Sequence, residues 1–306
     1  MRIAVTGASG FIGGAVATAL AARGHAVTGF GRVVDGWAAP SERTDYRRWD
    51  IAHSPVGESL EVDVVVHCAA LADDWASRAA SELINVEGTR NVIASFPGAR
   101  FVHLSTSSVY DAFTPTVNAR ESEAPVTRFL AHYSRTKTAA EALFDGPDAV
   151  ILRPHAVYGP GDTTLLPRIL AGVRGSRLTL PGAARVEHTL THIDNLVDAV
   201  ELAASATVRG VFNIGDATNV WLDEMLVELL AKKGRADVAI HGIPYSAAFA
   251  AAGALELTHR AFGGRPRLTR YAVSQLGLER TLDLGAAREV LGYRPRETTL
   301  AGAESW

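Results

Sequence analysis

Cysteine is almost missing from this chain, and Cys68 stands alone among 306 residues. One thiol allows neither an intramolecular disulfide nor a multi-cysteine metal centre, and no metal site is expected. Long hydrophobic runs are missing too. The most apolar stretch, Ile243 to Leu255, is soon followed by Glu256, His259 and Arg260. It is too short to span a bilayer and reads as a buried helix. Neither sign of charge dominates: the net charge is −3 with 21% charged residues, which points to neither nucleic acid nor an anionic membrane as partner. Internal repeats and low-complexity linkers are absent. Met1 leads straight into a strand pattern, so no signal peptide is expected, and the expectation is a soluble, cytoplasmic protein. The length suffices for a large core in one big domain or two lobes.

What is present starts at once. Thr6-Gly7-Ala8-Ser9-Gly10-Phe11-Ile12-Gly13 follows the apolar Met1–Val5 run. Glycines at 7, 10 and 13, between a strand and an Ala-rich helix, make a turn whose backbone can touch a pyrophosphate. Glycine permits positive φ and removes the side chain that would block the ligand. The helix that follows points its N–H groups and positive dipole end at the phosphates. The spacing is G-x-x-G-x-x-G, not G-x-G-x-x-G.

Strands are expected at Ile3–Thr6, Ala26–Phe30, Val62–His67, Arg100–Ser105 and Ala149–Arg153. Helices are expected between them at Ala15–Arg23, Ala80–Ser95 and His132–Phe144. This alternation predicts an α/β fold, a Rossmann-type doubly wound parallel sheet covered on both faces. Beyond Arg153 the chain is punctuated by Pro and Gly. Asp194–Ala203 still reads as a helix and Gly210–Gly215 as a strand. The expected division is a dinucleotide-binding domain over 1–159, with 190–215 returning to it. A smaller, mainly C-terminal substrate lobe is expected over 160–189 and 216–306.

Tyr133 and Lys137 are four apart on an expected helix and project from one face. A free phenol titrates at about 10, too high for acid–base work at neutral pH. A neighbouring ammonium lowers it. A second hydroxyl, on Thr106, is placed to hold a substrate oxygen while hydride moves to or from its carbon.

Six segments in order carry a resemblance. They are the glycine turn, His67-Cys68-Ala69-Ala70, Asn85 to Val92, Ser105-Thr106-Ser107-Ser108-Val109-Tyr110, Tyr133-Ser134-Arg135-Thr136-Lys137, and Leu152 to Gly161. Nearly the whole chain resembles the extended short-chain dehydrogenase/reductases, the NAD-dependent epimerase/dehydratase family. The resemblance implies that Tyr133 is the general acid/base and that Lys137 is its activator and a ribose ligand. Aligned on Val109-Tyr110, it puts Thr106, not Ser105 or Ser107, at the catalytic Ser/Thr position. It implies cofactor contacts from Gly7, Ser9, Gly10, Phe11, Ile12, Gly13, Arg32, Asp50, Ile51, Ala69, Ala70, Asn85, Tyr133, Lys137, Pro154, His155 and Val157. Asn85 reads equally as a helix N-cap. His67 and His155 read as satisfied structural histidines lining a cavity at most, and Cys68 as a small buried apolar residue. Trp75 is either a loop residue at the substrate mouth or core.

An acidic side chain ending the second strand would accept from a ribose 2′-OH and repel a 2′-phosphate. In the family that position falls at Gly31, and Arg32 follows, whose guanidinium suits a phosphate. NADP(H) is therefore expected, with NAD(H) the alternative and Asp50 near the adenine. Where sugar-nucleotide enzymes of the family carry a pyrophosphate-gripping Arg, this chain has His188; their second, Arg-x-Gly-Asp-like clamp near the C-terminus is absent too, with Arg265, Arg267 and Arg270 as the substitutes on offer. The tail, with Ile243-Pro244, Arg267 to Tyr271 and Leu291 to Pro295, resembles the 3β-hydroxysteroid dehydrogenase-like branch. Ala247–Leu257 lines an apolar substrate cavity or is an ordinary buried helix. The leading expectation is an NADP(H)-dependent alcohol dehydrogenase or ketoreductase with an uncharged, partly apolar substrate. A nucleotide-sugar epimerase or 4-ketoreductase comes second, and a non-catalytic NADP sensor third. The partners expected are a small molecule and, at most, a second copy of the chain.

Overall fold

The computed structural model describes residues 1–34, 37, 43–57, 60–146 and 148–306. Seven parallel strands form the central sheet: β1 (Arg2–Thr6), β2 (Ala26–Gly31), β3 (Thr44–Arg48), β4 (Val64–His67), β5 (Arg100–Leu104), β6 (Ala149–Pro154) and β7 (Gly210–Ile214). Their order is β3-β2-β1-β4-β5-β6-β7. The direction of winding reverses between β1 and β4, and in such sheets ligands sit at that reversal, outside the carboxyl ends.

Burial on both faces explains the apolar strands. Along β1, Ile3 and Val5 pack with Val16 and Leu20 of α1 (Phe11–Ala22) and with Leu196 and Val200. Ala4, between them, packs on the opposite face with Phe30, Phe96 and Phe101. The expected strands are all present within two residues at each end. The polar strand β3 (Thr-Asp-Tyr-Arg-Arg) was not expected. It pairs only with β2 at the sheet edge, where charge is tolerated and no alternation is needed. The helix expected at Ala80–Ser95 is present in three pieces: Arg78–Glu82, a π turn at Leu83–Glu87, and α2 (Gly88–Ser95). Next come α3 (His132–Glu141) and α4 (Ile193–Ser205).

The second lobe has a four-stranded sheet in the order Val220–Trp221, Glu187–His188, Arg280–Leu282, Thr116–Ala119. Leu178, Leu226 and Leu229 belong to a separate core there. The chain is interleaved more deeply than the sequence suggests. Thr116–Ala119 leaves the first segment to pair with Arg280–Leu282. In return, Ala287, Leu291 and Tyr293 pack into the core of the main sheet.

The apolar stretch near Ile243 forms α5 (Tyr245–Phe262), but it is not a buried helix. Only Ala248, Ala252 and Glu256 are buried, while Leu257 is 68% and Phe262 87% exposed. Alanine makes the helix apolar by composition without giving it side chains long enough to need a core. It is followed by α6 (Arg270–Gly277). Among the described residues, no helix is long and apolar enough to cross a membrane.

Candidate active site

The three glycines of the turn do different jobs. Gly7 has φ of +75°, and a Cβ there would come within 2.9 Å of the Ala69 nitrogen. A Cβ on Gly13 would lie 2.2 Å from the Gly7 carbonyl oxygen, so Gly13 lets the helix pack on the turn. At Gly10 a Cβ would meet only the Gly7 carbonyl, at 3.4 Å, which leaves its outer side open. Gly10 is also the N-cap of α1, and no side chain caps the helix. Uncapped N–H groups beside an open backbone suit a pyrophosphate, so the residues present fit a dinucleotide. Ser9 and Gly10 are exposed, while Phe11 and Ile12 are partly buried. Ala69 and Ala70 follow β4, with the Ala69 N–H donating to Thr6 Oγ1 at 3.3 Å. Pro154 ends β6, and His155 and Val157 follow it.

At the end of β2, Arg32 is exposed and its guanidinium has no partner among the described residues. Arg48, at the end of β3, donates from Nε to the Arg32 carbonyl at 3.2 Å. Sequence reading passed over Arg48, because only the parallel pairing of β2 with β3 brings it beside Arg32. A Cβ on Gly31 would meet the Tyr46 hydroxyl at 2.5 Å and Ser9 Oγ at 2.6 Å, so this position has little room for a carboxylate. Asp50 Oδ1 accepts from the Ala52 N–H at 3.1 Å. Ile51 is buried beneath Gly88.

Tyr133 lies in the first turn of α3, and its phenol is near enough to Thr106, which follows β5, for the Thr106 hydroxyl to favour its charged form. Thr106 Oγ1 accepts from the Ser108 N–H and donates to Ser108 Oγ, each at 3.1 Å. Ser108 Oγ is bonded to the Tyr271 hydroxyl at 2.6 Å. Three hydroxyls, on Thr106, Ser108 and Tyr271, thus form one chain beside Tyr133. The other two candidates for the Thr106 role are committed elsewhere. Ser105 donates to Glu141, and Ser107 Oγ is 2.7 Å from His155 Nδ1. Tyr271 is the site residue that sequence reasoning missed, since only the tertiary fold carries α6 to the end of β5.

Burial raises the Tyr133 phenol above its ordinary value; the Tyr271 phenol beside it adds to this, and the Thr106 hydroxyl opposes it. Lys137, expected to lower the phenol, is not among the groups that shift it. Lys137 is on the same helix and 2% exposed. Its ammonium instead donates to the Leu104 carbonyl at 2.6 Å and lies 3.1 Å from His103 Nε2. Burial pulls Lys137 down to about 8, against the opposing pull of Glu141, one turn on. Glu141 itself takes a buried ion pair from Arg153 at 2.6 Å.

Asn85 caps no helix. It sits in the π turn, where Oδ1 accepts from the Leu71 N–H at 2.7 Å and Nδ2 donates to Thr136 Oγ1 at 3.0 Å. It ties the loop after β4 to α3. The cap is Ser77, which accepts from the Ala80 N–H. His67 is bonded to Thr6 and Thr89, and burial holds it at about 3. His155 is bonded to Ser107 and His188. Cys68 is half-buried, and burial pushes its thiol up to about 12. Trp75 is a loop residue whose Nε1 donates to the Gly264 carbonyl at 3.0 Å. None of the offered substitutes forms a pyrophosphate clamp. Arg265 is held by Asp73 and Asp74, Arg270 by Glu256, and Arg267 is exposed.

The sequence pattern of the NAD dependent epimerase/dehydratase family matches residues 3–215. The chain is 33% identical to the 4-hydroxy-2-methyl-3-oxo-4-farnesyl-3,4-dihydroquinoline-1-oxide ketoreductase of Stigmatella aurantiaca, over 100% of this chain and 95% of that protein. It is 30% identical to a 2-alkyl-3-oxoalkanoate reductase of Shewanella oneidensis, over 94% of this chain and 81% of that one. A 3-beta-hydroxysteroid dehydrogenase of Mycolicibacterium neoaurum is 27% identical over 97% of this chain and 88% of its own. Among solved structures, the UDP-glucuronic acid 4-epimerase of Bacillus cereus, in complex with UDP-glucuronic acid and NAD, superposes with a TM-score of 0.75. The match is at 22% identity and covers 100% of this chain and 97% of that one.

Proposed function

Since the chain belongs to the NAD-dependent epimerase/dehydratase family, we propose that it is an NADP(H)-dependent ketoreductase, or alcohol dehydrogenase, acting on a secondary alcohol or ketone with a partly apolar skeleton. The observation that carries this reading is that α3 brings the Tyr133 phenol up to Thr106 at the carboxyl edge of a dinucleotide-type sheet. The nicotinamide supplies or accepts the hydride. Tyr133 gives its proton to the substrate oxygen in reduction and takes it back in oxidation. Thr106 holds that oxygen, and the segments around 160–189 and 216–306 form most of the substrate side of the cleft. Lys137 reaches the ribose from α3 once the cofactor is bound, which brings its charge nearer to the phenol.

Arg32 and Arg48 support a 2′-phosphate, and so NADP(H) over NAD(H): both end strands that meet at the ribose side, and the Arg32 guanidinium has no partner among the described residues. The names of the relatives support oxidoreduction of ketones. The nucleotide-sugar alternative draws less support. His188, in the place of the gripping Arg, is 2% exposed, and burial holds it at about 3, so it brings no charge to a diphosphate.

The test is NADPH and NADH oxidation with a panel of aliphatic ketones, steroid ketones and UDP-glucose. Consumption of NADPH, faster than NADH, with aliphatic or steroid ketones is the expected result. Tight retention of UDP-glucose without ketone reduction would overturn the reading in favour of the sugar enzymes.

A further inference from the structure

A cavity of about 560 Å³ is lined at one side by Ala131 and His132, the two residues that precede Tyr133 at the start of α3. That volume is in the range of small-molecule sites. Trp75, Phe113 and Phe129 provide aromatic wall, from three different loops. Two carboxylates reach it, and both are spoken for. Asp74 accepts from both Arg168 nitrogens, from Arg265 and from Thr269. Glu256 accepts from the backbone and the guanidinium of Arg270. Of the lining guanidiniums, Arg135 is paired with Glu82 and Arg270 with Glu256.

Arg260 differs from these. It is exposed on α5, rests over the Trp75 ring at 5.7 Å, and among the described residues has neither an ion pair nor a hydrogen-bond acceptor. The surrounding field has the same sign. His132, at the rim, lies below its ordinary value, by burial first and then by Arg135, Arg260 and Arg78, with Glu82 opposing.

We infer that this cavity reads an anionic end of the substrate: Arg260 receives a carboxylate whose apolar chain lies on Trp75, Phe113 and Phe129, with the ketone inward at Tyr133. The substrate class is then an oxo acid or its hydroxy acid, in place of the uncharged molecule that the sequence suggests. This rests on the ketoreductase reading above. One unpaired guanidinium on an aromatic face matches a single carboxylate, by a charge-assisted and often bidentate pair. It does not match a diphosphate, which needs several cations.

The test uses the full-length protein with NADPH, and 7-oxooctanoate against its methyl ester. Wild type is expected to favour the acid by about tenfold or more in kcat/KM, mainly through KM. Arg260→Ala should remove that preference by lowering kcat/KM for the acid far more than for the ester, with Arg260→Lys restoring part of it. Arg267→Ala, a guanidinium outside the cavity, should behave as wild type. Equal use of acid and ester by wild type, or an equal loss on both in Arg260→Ala, overturns the inference. A calorimetric titration of the cofactor-free protein with octanoate and with 1-octanol separates the two readings. If neither ketone is reduced, the ketoreductase reading fails. Octanoate binding that Arg260→Ala abolishes still upholds the anion site, and no binding of octanoate to wild type overturns it.

Discussion

A hydroxyl has one proton to give, so the order of donation along Tyr133, Thr106, Ser108 and Tyr271 carries information. With Tyr133 neutral, Thr106 gives its proton to Ser108. Once the Tyr133 oxygen is negative, the favourable direction reverses and Thr106 donates to the phenolate. Hydrogen bonds to the charged form lower a pKa, and this reversal offsets part of the burial that raises Tyr133. Tyr133→Phe should cut kcat by about 10²–10⁴-fold, the usual contribution of a positioned acid, and leave NADPH binding, followed by fluorescence, nearly intact. Near-normal turnover would mean that another group carries the proton. Tyr271→Phe removes only the far hydroxyl. Because the Tyr271 phenol adds to the raised value of Tyr133, we expect the acidic limb of the alcohol-oxidation profile to move to lower pH, with KM and melting temperature little changed. An unmoved limb would leave Tyr271 a packing residue.

At the scale of one element, α3 carries both Tyr133 and Lys137, but the two side chains meet different surroundings. Lys137 falls from 10.5 to about 8 because of burial. Below pH 8 the ammonium is held in both folded and unfolded states, and its burial costs about 3 kcal/mol, by the usual conversion of a pKa difference. Between about 8 and 10.5 the folded state releases the proton first, so stability rises with pH across that window. Urea midpoints should therefore climb from pH 8 to 10 in the cofactor-free wild type and stay flatter in Lys137→Met. Parallel curves would show that Lys137 does not titrate there. At the ends of β2 and β3, Arg32→Ala and Arg48→Ala should each weaken NADPH, and not NADH, by about 1.5–3 kcal/mol if the charge-assisted bonds are well made. Equal affinity of wild type for both cofactors would remove the pair from the site.

Part of this was legible locally. The glycine turn and the apolar strands follow from short-range pattern and spacing, whereas the choice of Thr106 beside Tyr133 came from the family resemblance. Arg48 was not legible, because its meaning depends on β3, an edge strand with no hydrophobic signal. The exposure of α5 was not either, since composition alone does not tell a buried apolar helix from an exposed alanine-rich one.

Across the whole molecule, the cleft is closed by contacts between segments far apart in sequence. Asp73 and Asp74, in the loop after β4, bind Arg265, while Asp74 also binds Arg168 and Thr269, and Trp75 donates to the Gly264 carbonyl. These bonds strap the loop after β4 of the main sheet to the segments around Arg168 and around Gly264 to Thr269, at the cavity that Arg260 lines. Asp74 is the hub, because its side chain is only 2% exposed while Arg168 and Arg265 are about half exposed. Asp74→Asn keeps the shape and removes the charge. The two guanidiniums can regain water, so the loss should be moderate, about 1–3 kcal/mol in urea unfolding, the range for a buried polar group left short of partners. A larger effect is expected on function. The strap holds the wall that faces the substrate without touching Tyr133 or Thr106, so KM for the ketone should rise more than kcat falls. Hydrogen exchange should quicken at residues 71–77 and 263–270 together, because the same carboxylate orders both segments. Faster exchange in one segment alone would mean that the two loops are held independently and that the cleft has no common strap.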